Sequence, residues 1–295
     1  MTTPYQMAKG SQFETDWLAL REPADHHARD NGLSDALKQA LPFSPLTVTD
    51  LGAGRGSNLR FLAPKLTGAQ HWHLVDHDPA LLEAARLHPA PIAELTLTTQ
   101  TASITDPAAV IASDTHLVTA SALLDLVSDD WLSRLADYMM RHAQVGLFAL
   151  SVDGHFSIDA RPDSDNDHDV LEAMDQTMAQ LINDHQRQER GLGTACGPDG
   201  WSCASQHFER AGYRVTVHDT PWRIHREVGI SAQPLGERLL RERVAAAREI
   251  APKSLHSQLE HWYSRRLTQF QAGHATIVVG HKDLLVVPAP DKATA

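Results

Sequence analysis

The run Asp50-Leu51-Gly52-Ala53-Gly54-Arg55-Gly56-Ser57-Asn58-Leu59 constrains the fold more than any other part of the chain. A short apolar stretch leads into it, three alternating glycines fill it, and a helical pattern leaves it. Glycine reaches the left-handed backbone conformations that a sharp turn needs, and without a Cβ it lets the main chain approach a ligand closely. The helix that follows presents unpaired N–H groups and the positive end of its dipole to an electron-rich ligand. Twenty residues beyond Gly56, a second strand-like run ends in Val75-Asp76-His77-Asp78. An acid at that strand tip is placed to accept hydrogen bonds from both hydroxyls of a ribose. Strand, glycine turn, helix, strand and acid describe an adenosine-binding half.

The flanking sequence fits a βαβ rhythm. Strand candidates at 46–51, 73–75, 95–99, 116–120 and 145–152 alternate with helical patterns at 57–66, 79–87 and 131–143, which implies crossovers and a mostly parallel sheet. Apolar residues between 15 and 41 recur at helical spacing, and Pro23 and Gly32 divide them into two helices. Past residue 152 the rhythm changes. Residues 159–169 form an acidic, turn-rich loop and 170–190 a long helix, followed by a glycine-rich stretch. A helix over 199–211, a strand over 213–217, two Arg/Glu-laced helices within 233–272 and strand material at 276–279 and 284–287 complete the chain. The expected fold is a seven-stranded, mostly parallel, doubly wound α/β sheet with helical additions. Residues 1–45 form an N-terminal helical lid, 46–152 the cofactor core, and 153–295 substrate-binding helical insertions plus the last strands of the same domain.

Composition removes several function classes. The 295 residues are 42% hydrophobic and 21% charged, enough apolar material for a packed core. Lys+Arg 26 against Asp+Glu 37 leaves a net charge of -11, which disfavours duplex nucleic acid as a partner. Two cysteines, Cys196 and Cys203, do not make a disulfide scaffold. The N-terminus lacks an apolar signal region, and no apolar run nears the ~18 residues that cross a bilayer. A soluble, cytoplasmic protein with no membrane partner is expected, and a homodimer is left open.

The cofactor follows from the glycine spacing. A dinucleotide fold uses G-x-G-x-x-G, whereas here the third glycine comes one position early. Asp50, just before the turn, suits a ligand with a cationic amino-acid tail. With these residues the chain resembles the class I S-adenosylmethionine-dependent methyltransferases, whose first motif is D-x-G-x-G-x-G. The resemblance implies that Asp50, Gly52, Ala53, Gly54 and Gly56 lie at the methionine end of S-adenosylmethionine and that Asp76 holds the ribose, with His77 beside it. It further implies adenine contacts from Ser103 and Ile104 after the third strand. Ser121 and Ala122, in Val118-Thr119-Ala120-Ser121-Ala122-Leu123-Leu124-Asp125, would line the methyl-bearing sulfonium. Arg21, from the N-terminal segment, would hold the cofactor carboxylate or form a surface ion pair with Glu22 or Asp25. The activity implied is methyl transfer to an O or N nucleophile of a small molecule, leaving S-adenosylhomocysteine. A non-catalytic module on the same fold and an RNA-modifying methyltransferase are the alternatives. The acidic balance, and the lack of an N-P-P-Y-type segment after strand four, weigh against RNA.

Candidates for the acceptor side come from polar residues without a structural duty. Asp125, past the tip of strand four, can accept or position a proton, or cap the next helix. His185 is a candidate general base, since imidazole titrates near neutral pH, or a cation placed favourably at a helix C-terminus. Gln186 and the glycine-rich loop, Gly193 included, would complete the substrate pocket. The 18 histidines are scattered and the Cys196-x6-Cys203 spacing is not a zinc clip, so no metal is expected. Arg238, Arg241, Arg243, Arg248, Arg265 and Arg266 alternate with glutamates, as on a solvated, salt-bridged face.

Overall fold

Every residue of β1 (Leu46–Leu51) except Thr47 is buried, as in a strand covered by helices on both faces. In the computed structural model, which describes residues 15–41, 44–160, 168–188, 192–229 and 232–290, β1 is central. Its neighbours are β2 (Gln70–Asp76) and β4 (Leu117–Ser121), both parallel to it. With β3 (Leu95–Thr101), β5 (Val145–Ala160), β6 (Tyr213–Asp219), β7 (Trp222–His225) and β8 (Ala275–Pro288), the sheet runs β3-β2-β1-β4-β5-β8-β6, and β7 pairs with β8. Only β8 runs against its neighbours. The expected seven-stranded, doubly wound sheet is present, with one short extra strand. The chain winds outward from β1 to β3, then returns to β4 on the other side. The carboxyl ends of β1 and β4 therefore part beneath a crevice, where such sheets bind ligands.

Helices α1 (Thr15–Ala28), α2 (Asn31–Ala40), α3 (Ser57–Leu62), α4 (Pro79–Leu87), α5 (Pro107–Val110) and α6 (Asp129–Arg141) belong to the first half of the chain. The second half supplies α7 (His168–Gln186), α8 (Gly200–Ala211), α9 (Ala232–Ile250) and α10 (His256–Gln271). One core packs α6 and α8 on β4 and β5, around Trp131, Phe148 and Phe208. A second packs α2, α3 and α4 on β1 and β2. The third gathers α1, α7, α9 and α10 around Phe156, Trp262 and Ile277, on β7 and the outer halves of β5 and β8. No helix among the described residues is long and apolar enough to cross a membrane.

Several expectations need correction. Strand five continues to Ala160 rather than stopping at 152, because Asp153-Gly154-His155, turn-like in sequence, is an irregularity in a ladder that resumes at Phe156↔Val279. The two terminal fragments are the single strand β8, and β7 had no signal of its own. Helix α1 passes through Pro23, so Arg21 is helical and not at a break. The hydrogen bond lost to proline is offset by burial of Trp17 and by the Arg21–Asp25 pair one turn apart. The break falls instead at Asp30, which caps α2 by accepting from the Leu33 amide at 2.8 Å. Residues 161–167 of the acidic stretch lie outside the described residues.

The arginine-laced helices are not uniformly solvated. Arg266 is 1% exposed. It donates to the Asp175 carboxylate, which also accepts from Trp262 Nε1 at 2.6 Å. Arg243 faces a cavity, described below.

Candidate functional site

The crevice over the strand ends is a cavity of about 160 Å³. Its lining includes Arg21, Asp50, Gly52, Ala53, Gly54, Asp76, His77, Ser103, Ile104, Ser121 and Ala122. These come from α1, β1, the glycine turn, β2 and the segments after β3 and β4, so residues 100 positions apart meet in one place. Helix α1 crosses the turn: a Cβ on Gly54 would come within 3.5 Å of Leu18 Cδ1.

Gly52 and Gly54 have φ of +63° and +52° and bring bare backbone to the cavity wall. Gly56 does not line this cavity. Its φ is +75°, and a Cβ there would lie 3.1 Å from Ala85 Cβ on α4, so its smallness serves the packing of α3 on α4. Gly56→Ala is expected to lower stability by about 1–2 kcal/mol, the cost of a left-handed non-glycine residue. Urea denaturation reads this, and an unchanged midpoint would show that the contact yields.

Asp50 is fully buried. Its Oδ1 accepts from Asn58 Nδ2 at 3.0 Å, while Oδ2 meets no partner. Burial drives its pKa up to about 7, against the opposing influence of Asn58 and Arg29. A buried carboxylate oxygen without a donor is costly, and a ligand ammonium would satisfy it. Behind it stands a polar network the sequence did not announce. Asn58 also donates to Thr119 Oγ1 at 3.0 Å and accepts from Arg29 Nη1 at 3.0 Å. Arg29 Nε donates to Asp283 Oδ2 at 3.0 Å. The only sequence cues were an asparagine opening α3 and a lone acid in the apolar run of β8.

Asp76 works differently. The Gly54 amide donates to its Oδ2 at 2.8 Å and the Asp78 amide to its Oδ1 at 3.0 Å. Burial alone would raise its pKa, but the hydrogen bonds from His77 and these amides outweigh that and hold it below the ordinary carboxylate value. The anion is thus preformed, and Oδ2, which accepts from the Gly54 amide alone, keeps lone-pair capacity for a further donor. His77 is raised, mainly by its hydrogen bond to Asp76.

A second cavity of about 300 Å³ adjoins the first, sharing Arg21, Ala122 and Leu126 with it. Asp125, His185 and Gln186 all line it, so three acceptor-side candidates from two distant segments come together. Asp125 is buried, and its carbonyl accepts from the Gly197 amide at 3.0 Å. His185 Nε2 lies 3.1 Å from Glu249 Oε2 on α9. Gly193 lines neither cavity: it packs on Ser128 at the start of α6. Arg21 binds Asp25 through two hydrogen bonds of 3.0 and 3.1 Å and lies over Trp222. Two non-glycine residues with positive φ, Ala122 at +53° and Leu150 at +55°, sit on the wall of this cavity. Such conformations cost on the order of 1–3 kcal/mol and cluster where function over-determines the backbone.

Elsewhere, ligand-type atoms of Asp129, Cys196 and Cys203 lie within 4.8 Å of one another. Burial pushes the Cys196 thiol up to about 12 and raises Cys203 as well, so neither is a ready thiolate nucleophile.

No protein-family model and no curated protein matches the sequence. Solved structures do resemble it in fold. A loganic acid methyltransferase with S-adenosylhomocysteine superposes with a TM-score of 0.52, at 12% identity over 98% of this chain and 100% of that one. The cyclopropane synthase MmaA2 from Mycobacterium tuberculosis gives 0.48, at 12% identity over 94% and 95%. Haemonchus contortus phosphoethanolamine N-methyltransferase 2, in complex with phosphomonomethylethanolamine and S-adenosylhomocysteine, gives 0.40 at 14% identity over 88% of this chain. The chain spans 53% of that protein's length, and 61% in a second structure of it. The fold is that of the class I S-adenosylmethionine-dependent methyltransferases.

Proposed function

We propose that this protein transfers a methyl group from S-adenosylmethionine to an oxygen or nitrogen nucleophile of a small molecule. The observation that carries it is the orphaned Asp50 Oδ2, buried before a glycine turn in a cavity that the preformed Asp76 carboxylate also lines. Asp50 would take the cofactor ammonium and Asp76 the ribose hydroxyls. Gly52, Ala53 and Gly54 would lie along the methionine chain. Ser103 and Ile104 would flank the adenine, with His77 at the ribose edge. Ser121 and Ala122 would face the sulfonium, at the mouth of the second cavity. Arg21, already engaged by Asp25, would reach the cofactor carboxylate from α1.

When bound, S-adenosylmethionine supplies an electrophilic methyl on a sulfonium. The chain's own task is then to align the acceptor in line and to exclude water. Asp125 or His185 would take the proton from a hydroxyl or a neutral amine as the new bond forms, both lining the second cavity where the acceptor would sit.

Calorimetry with S-adenosylhomocysteine tests the proposal, and its pH dependence tests the role of Asp50. With its pKa near 7, Asp50 must shed a proton to pair with an ammonium below that pH. Affinity should therefore climb from pH 6 to 8, by up to about tenfold per unit on the acid side, and proton release should accompany binding. Asp50→Asn should bind more weakly with a flat profile. Without ligand the sign reverses: the folded state holds this proton more tightly than the unfolded chain, so Asp50 erodes stability as pH rises from about 4 through 7. Absence of binding by the unaltered protein at any of these pH values would overturn the proposal.

A further inference from the structure

The second cavity is lined by an arginine that has no ion-pair partner among the described residues. Arg243, on α9, lies over the Phe156 ring at 4.4 Å from its centroid. No carboxylate among the described residues pairs with it, and its Nε is buried without a hydrogen-bond partner. Burial draws its pKa down only to about 10, so it stays a cation at neutral pH. Arg243 as a whole is half-buried, and a charge drawn out of water without a partner loses hydration and gains nothing in return. The other ionisable acids and arginines of the cavity are Arg21, paired with Asp25, Glu242, paired with Arg238, and the buried Asp125 carboxylate.

Two further nitrogens on the same wall are also orphaned. Trp222 Nε1 and His281 Nδ1 are both buried and meet no partner, and their rings lie 5.0 Å apart. His281 is held neutral, its pKa pushed down to about 3 by burial and by the nearby Arg21 and Arg243 charges. The remaining wall is apolar, from Leu150, Val152, Ile182, Leu239 and Val279.

We propose that the methyl acceptor carries, apart from the hydroxyl or amine that is methylated, a carboxylate on an apolar body, anchored in this cavity by Arg243 together with Trp222 Nε1. The Arg243 guanidinium has no ion-pair partner among the described residues and matches a monoanion, in a cavity that already holds the Asp125 carboxylate. A phosphate dianion would leave a negative charge in an apolar cleft. The inference rests on the methyl-transfer reading, since it names the substrate of that same site.

The test uses protein saturated with S-adenosylhomocysteine and three calorimetric probes: 3-phenylpropionate, its neutral amide, and phenethyl phosphate. The carboxylate should bind about tenfold or more tightly than the amide, the range for a hydrogen bond to a charged group, and more tightly than the phosphate. Arg243→Gln should erase this preference without changing S-adenosylhomocysteine affinity, and Arg243→Lys should keep part of it. Relieved of an unpaired charge, the unliganded Gln variant should also melt about 2 °C higher or more. Equal binding of acid and amide, tighter binding of the phosphate, a preference that survives in Arg243→Gln, or a lower melting temperature in that variant would overturn the inference. Failure of the unaltered protein to bind S-adenosylhomocysteine would instead overturn the methyl-transfer reading beneath it.

Discussion

Asp125→Asn is expected to lower turnover by roughly 10²–10⁴-fold, the usual contribution of a positioned general base, while cofactor affinity stays nearly unchanged. Asparagine keeps the shape and hydrogen-bonding reach of aspartate but takes up no proton. Asp125 is well held for the task. The Gly197 amide fixes its carbonyl, and α8 begins so close by that a Cβ on Gly200 would meet Leu124 O at 2.3 Å. It borders the second cavity between Ala122, shared with the first, and Leu126. His185 is the competing base. Its ring nitrogen is tied to Glu249, on the solvent side of α9. Single-turnover kinetics of Asp125→Asn and His185→Ala, with S-adenosylhomocysteine affinity measured in parallel, separate the two. The larger loss in Asp125→Asn assigns the base to Asp125. Undiminished rates in both variants would mean that transfer proceeds by alignment alone.

The second large effect is on the fold. Asp283→Ala should cost about 3–5 kcal/mol, the penalty for removing one partner of a buried ion pair. Asp283 accepts from Arg29 Nε at 3.0 Å, from the Leu150 amide at 2.7 Å and from Thr220 Oγ1 at 3.0 Å. Its loss strands the Arg29 guanidinium, whose side chain is 2% exposed. It also strands the amide of a residue at positive φ. Urea denaturation reads the loss, and a change below about 1 kcal/mol would show that solvent replaces the carboxylate. Because Arg29 also holds Asn58, and Asn58 holds Asp50, the variant should bind S-adenosylhomocysteine more weakly as well. Asp283→Asn, which can still accept hydrogen bonds, should fall between the two.

The sequence by itself determined the parallel core, the glycine turn and the two acids at its ends. These features are local. A strand, a tight turn and a helix N-terminus are written within a dozen consecutive residues, and Asp76 follows Gly54 by one βα unit, close enough for its carboxylate to take the Gly54 amide at 2.8 Å. In β1 and β4 all but one residue of each strand is buried because both faces are covered, although Thr47, Thr49 and Asp50 interrupt the apolar run of β1. Tertiary structure alone decided what lies beneath and beside the turn. Arg29 and Asp283 are 254 positions apart, and nothing near either residue marks it as one half of an ion pair. In α9 and α10, arginine and glutamate alternate as they would on a wet surface, yet Arg266 is sealed against Asp175 and Arg243 enters a cavity unpaired. Helical periodicity records which residues share a face. Whether that face meets water, a carboxylate or an empty cleft depends on chain that is remote in sequence. The same holds for β5 and β8: the polar irregularity at 153–155 looks like a turn until the opposite strand supplies the ladder that carries the chain past it.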